Sequence, residues 1–216
     1  PTLSFEATIE DIQSATMTSL AGKLHKNMQS TISACAVEAA EAIAMEANGT
    51  VVADPTRVKV ITRSGPSLEE SKLITGLALP KKRAHVEMPS TLGPGSILLV
   101  DGGLELRSLT NDVQLNVTST SVLQSFRDAE QQRLLDQVKL LADLDVKLLA
   151  GREGIDDSMH AHLAEAGIKA FRRVAKSDLE LLARGCGARL VPTIHQAKES
   201  DVGVFISSRC ERWGDV

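Results

Sequence analysis

Residues 146–191 read VKLLAGREGIDDSMHAHLAEAGIKAFRRVAKSDLELLARGCGARLV, and this stretch alternates between two structural periods. A short apolar run at 146–149 predicts a strand, and the turn-forming residues 151–157 predict a loop. Met159, Leu163 and Ala166 then recur at the spacing of one helix face. A second extended run follows at 169–174. Ser177 with Glu180 fits a capping box, in which each side chain satisfies a backbone N–H of the other. Leu179, Leu182 and Ala183 give the helix it opens one apolar face, Gly185 and Gly187 can end it, and residues 188–191 re-enter a strand. Strands alternating with helices imply an α/β fold around a parallel or mixed sheet.

The flanking segments supply the rest of the architecture. Residues 9–47 are helical in pattern, with Met28, Ile32, Cys35, Ala36, Ala39, Ile43 and Ala47 at three- and four-residue intervals. Asn48 and Gly49 stop that helix, and Asp54-Pro55 turns the chain into an alternating strand at 58–62. Residues 96–100, SILLV, predict a buried strand that ends in the turn Asp101-Gly102-Gly103, and residues 113–117 alternate as a half-exposed strand. A helix over 122–144 follows, with Leu123, Phe126, Leu134, Val138 and Leu141 as its apolar stripe. Between 127 and 133 every residue but Ala129 is polar, so the helix loses its buried face midway and projects from the body.

Composition removes several function classes. A net charge of −4 argues against a surface that neutralises phosphates, and with 2% aromatic residues, no Tyr and only Trp213, there is little on which to stack bases. Nucleic acid is therefore not an expected partner. Cys35, Cys186 and Cys210 are too widely spaced for a disulfide framework or a CxxC metal knuckle, which points to a reducing cytoplasm. No apolar run approaches the ~20 residues of a membrane span, and the N-terminus, which begins at Pro1 without Met, lacks the order of a signal peptide. No membrane association and no export are expected. Asp156, Asp157, His160 and His162 carry metal-ligand chemistry, but His160 and His162 face different ways on a helix. An acidic helix cap with polar surface histidines is the simpler reading. Gly93-Pro94-Gly95 and Asp101-Gly102-Gly103 lack the Lys-Ser/Thr and the helix that a phosphate loop needs. Cys186 reads as a small buried residue, and Met159 alone reads as core. No catalytic constellation stands out, and an enzyme is not expected.

Over residues 154–191, the order GIDD, AxxGIxAxRRVxKSDxExLA and GAxxV closely resembles the apical domain of group II chaperonins of the thermosome type. Other segments extend the likeness. ATMTSLAGKL at 15–24 is similar to the family's intermediate-domain run, and Leu104-Glu105 matches the pair after its first apical strand. Leu73, Gly76, His85, Met88 and Pro89 match its hinge and a strand ending in His-x-x-Met-Pro, although Pro80 and Lys81 stand where the family has Asp-Lys. VTSTSVLQSFRDAEQQRLLDQV echoes the helical protrusion that serves as a built-in lid, and residues 201–215 resemble the run that follows in the family.

The resemblance implies a chaperonin apical-domain-like sheet flanked by helices with a long protrusion at about 119–145. The apical substrate-binding domain would span 75–216, and 1–74 would be a partial intermediate domain of helix and strand. It also implies contact with non-native protein clients at or near Arg152, Ile155, Ser158, Met159 and His162, with Leu123, Phe126, Leu134 and Leu135 on the lid helix. The family's ATP and magnesium would have no site in these residues, so the expected activity is client binding without catalysis. The alternative is a docking module for one specific partner, self-assembling as a homo-oligomer through the N-terminal helix.

Overall fold

A computed structural model describes residues 8–47, 49–65, 67–103 and 120–211. These divide into two compact units, one ending at Ala78 and one spanning Leu79–Glu211.

The first unit opens with helix α1 (Ile9–Leu20), which is capped reciprocally. Thr8 Oγ1 accepts from the Asp11 N–H at 3.3 Å, while Asp11 Oδ2 accepts from the Thr8 N–H at 2.9 Å. The Thr8 hydroxyl also donates to Asp11 Oδ2 at 2.7 Å, and this bond, with the one from the Thr8 N–H, holds the Asp11 pKa below its ordinary value. Helix α2 (Lys26–Ile43) follows a break in which Gly22 takes a φ of 76°, so the expected helix over 9–47 is two helices. It also ends earlier than expected. Ala47 belongs to strand β1 (Ala44–Ala47), which pairs antiparallel with β2 (Thr50–Ala53) across a tight connection holding Gly49 at φ 76°. The strand expected at 58–62 does not form, because that stretch finds no partner ladder and leaves Val60 80% exposed.

In the second unit, β3 (Thr91–Leu92) precedes the central strand β4 (Gly95–Val100), and helix α3 (Thr120–Asp143) leads into β5 (Val146–Gly151). Then come α4 (Asp157–Glu165), β6 (Lys169–Phe171), α5 (Lys176–Cys186), β7 (Leu190–Val191), β8 (Gly203–Phe205) and β9 (Ser208–Arg209). Strands β6, β5, β4 and β7 lie in that order and are parallel. β8 adds antiparallel to the first half of β4, which makes the sheet mixed, and β9 pairs with β3. This is the α/β arrangement that the alternation of periods predicts.

Strand alternation divides the core in two. Leu98, Val100 and Leu149 pack with Leu134 and Leu141 of α3 and with Met159 and Leu163 of α4. Ile97, Leu99, Leu148 and Ala150 pack on the other face with Leu179 of α5. Each Leu, Ile, Val or Met side chain among these contributes about 1.5–3 kcal/mol on burial.

Two local expectations need correction. Ser177 is not the cap of α5; Ala175 is, without a side-chain hydrogen bond, because the helix begins at Lys176. Gly187 ends α5 in the left-handed conformation, at φ 69°, as its position suggests. Residues 75–90 form no strand, yet Met88 is 1% exposed, so the His-x-x-Met-Pro segment packs as a loop. There the Ala84 N–H donates to the Ala170 carbonyl at 2.8 Å and the Met88 sulfur accepts from the Ala170 N–H at 3.3 Å. The strand expected at 113–117, the Leu104-Glu105 pair, and the Leu123 and Phe126 side chains lie outside what is described.

Candidate functional site

The loop after β5 and helix α4 form the region that the sequence singles out. The Arg152 N–H continues the ladder by donating to the Val100 carbonyl at 3.0 Å. Its guanidinium Nε donates to the Asp101 carbonyl at 3.0 Å, stands 3.0 Å from Asp101 Oδ1, and keeps Glu153 within 3.6 Å of Nη2. Arg152 is thereby fixed on the turn after β4. That turn requires Gly102, where a Cβ would lie 2.3 Å from the Pro192 carbonyl oxygen.

Asp156 is the N-cap of α4, accepting from the Ser158 N–H at 2.9 Å, so the acidic-cap reading holds. The surface-histidine reading holds only in part. His162 is half-buried, with Nδ1 3.6 Å from Glu165, but His160 is only 4% exposed. His160 Nδ1 lies 3.4 Å from Asp157 Oδ1, and Nε2 is buried without a hydrogen-bond partner.

The five residues expected at the client surface separate by burial. Arg152 and Ser158 are exposed and His162 is half-exposed. Ile155, at 3%, and Met159, at 0%, are buried in the core cluster with Leu98, Leu149 and Leu163, so neither offers surface to a client in this conformation. The outward face of α4 is instead Asp157, Ser158, Ala161 and Glu165, which is polar and small. On α3, Leu134 is a core residue at 3% exposure, whereas Leu135 faces solvent. Gln137 of α3 lies 3.2 Å from His195, tying the helix to the 3₁₀ turn Ile194–Gln196.

Sequence reading overlooked two features. The first is a set of apolar side chains in water: Val86 at 74%, and Val204 and Ile206 at 72% and 85% beside the sheet edge. The continuous apolar run Val202-Gly203-Val204-Phe205-Ile206 is the signal that could have found the latter. The second is Lys169, wholly buried, whose ammonium donates to the Ser90 carbonyl at 2.8 Å and to the Ser208 carbonyl and hydroxyl at 3.1 and 3.2 Å. Burial pushes the Lys169 pKa down and the Cys186 thiol pKa up.

Among the described residues no group of three His, Cys, Asp or Glu side chains is placed to hold a metal, and no helix is long and apolar enough to cross a membrane.

Residues 2–215 match the model of the TCP-1/cpn60 chaperonin family. A thermosome subunit of Methanopyrus kandleri is 31% identical over 194 residues, covering 90% of this chain and 36% of that protein. A thermosome subunit beta of Halobacterium salinarum is 33% identical over 192 residues, covering 88% and 34%. The chain thus spans about a third of the length of these relatives. The open-state monomer of a group II chaperonin from Methanococcoides burtonii superposes with a TM-score of 0.69 at 24% identity, over 92% of this chain and 44% of that one.

Proposed function

The chain belongs to the TCP-1/cpn60 chaperonin family, and from that premise we propose that it binds non-native protein through the solvent-facing surface of residues 79–211. On this reading the second unit acts as an apical domain and the first as part of an intermediate domain. The observation that carries it is the apolar surface that the second unit leaves in water, at Ile206, Val86, Val204 and Leu135. Exposed apolar side chains of this kind gain by covering the apolar segments that an unfolded partner cannot bury itself. Arg152, Ser158 and His162 add solvent-facing hydrogen-bonding groups to the same unit, and mixed polar and apolar character suits weak binding to many sequences. Ile155 and Met159 act at one remove, by holding α4 in place from below.

ATP hydrolysis, with its magnesium, is carried elsewhere in the family on this reading, and client capture needs no nucleotide. The setting is the cytoplasm, consistent with free thiols at Cys35, Cys186 and Cys210. The test is light scattering from a chemically unfolded protein diluted into an equimolar amount of the pure chain without nucleotide. Suppression is expected, with no ATP turnover by the same preparation.

A specific observation favours a second reading, docking to one partner or to another copy. The first unit also exposes apolar side chains, with Ile9 at 58%, Val51 at 76% and Val60 at 80%. Concentration-dependent association in static light scattering would support it, and a strict monomer would remove the self-assembling form.

A further inference from the structure

His85 and His160 face each other with ring centroids 6.3 Å apart and planes tilted by 30°, one on the loop that packs against β6 and one on α4. Each stands next to a buried methionine. Met88 closes the loop and Met159 precedes His160, and both belong to one core cluster.

The groups facing His160 come from three segments. Asp156 and Asp157 lie at the start of its own helix, His85 on the loop, and Arg172 beyond β6, with Arg172 Nη1 3.9 Å from the same Asp157 oxygen that faces His160 Nδ1. Asp157 is 96% exposed, so solvent screens its attraction. With the Nδ1 proton directed at Asp157, a neutral ring presents a lone pair at Nε2. A second proton would put an N–H into a buried position that holds no acceptor. His85 lies within 3.8 Å of Glu87 and is the more exposed ring, and a charge on it opposes a charge on His160.

We propose that the His85–His160 pair is a proton-operated clasp between the 84–88 loop and helix α4: acid opens it and uncovers Met88 and Met159 to client protein. The client half of this proposal rests on the reading above. The direction of the pH effect follows from the burial of His160, which, with Arg172 and His85 and against Asp157 and Asp156, holds its pKa below the ordinary 6.5. Above that value the ring is neutral folded or unfolded and carries no penalty. As pH falls through it the unfolded chain takes up the proton first, so the clasp weakens on acidification.

Hydrogen–deuterium exchange of the intact chain at about pH 7.5 and about pH 5.5, corrected for intrinsic rates, tests the clasp. Segments 84–88 and 157–163 should lose protection at the lower pH by up to about tenfold in the wild type and not in His160→Gln. Equal protection at both pH values, or the same loss in the variant, would overturn the proposal. A His160→Gln chain that does not fold leaves the wild-type ring to be titrated by NMR, where a midpoint at or above 6.5 overturns it equally. Aggregation suppression at the two pH values separates the halves. Opening without any client capture at either pH would refute client binding and leave the clasp supported, while capture that rises in acid in the wild type alone supports both.

Discussion

Met159 illustrates how far a single residue can be read. Its spacing with Leu163 marks a helix face but not the direction in which that face points, and resemblance drew it to the client surface while packing places it in the core. Met159→Ala should therefore cost about 2–5 kcal/mol of unfolding free energy in urea, as for other large-to-small core changes. Ser158→Ala, one position away on the outward side, should stay within about 0.5 kcal/mol. Any loss of client capture by the first variant would then follow its stability, whereas loss by the second would report contact. Lys169 was illegible for a related reason. Nothing near it in sequence explains a buried ammonium, because Ser90 and Ser208, which accept its hydrogen bonds, lie 79 and 39 residues away. His160 was likewise read as surface, grouped with His162 beside the acidic cap of Asp156 and Asp157.

Elements with a strong internal period were the most legible. β4, β5 and β6, the α4 cap at Asp156 and the end of α5 at Gly187 form where apolar runs and turn residues place them. The failures occurred where tertiary pairing decides. The hairpin of β1 and β2 took its first strand from what reads as helix, and 58–62 had strand residues but no partner. β8 bears most on the proposed client contact, since it closes one side of β4 and turns Val204 outward. Val204→Lys and Ile206→Lys together should leave the melting temperature within a few degrees, because neither side chain is packed. The same pair should weaken suppression of aggregation by roughly tenfold, as expected when two apolar contacts of about 1 kcal/mol or less each are lost. Unchanged suppression would move client contact away from this edge.

At the scale of the whole chain, the two units differ in how much they bury. Helix α1 contributes no buried residue and α2 contributes only Ser33, Val37 and Ala39, whereas both large apolar clusters lie within Leu79–Glu211. Amides of α1 should exchange at least about a hundredfold faster than those of β4 and β5 in native conditions, and comparable protection would contradict this division of stability. The family was legible because its motifs run in order over most of the chain, and the match over residues 2–215 agrees. The contact surface was not, because exposure depends on how helices and strands are covered. The most direct test of the central claim is binding to one protein in two forms, native and permanently unfolded by reduction and alkylation, without nucleotide. The account expects the chain to bind the unfolded form with a Kd on the order of micromolar and to ignore the native form. Failure to bind the unfolded form, or equal binding to both, would contradict it.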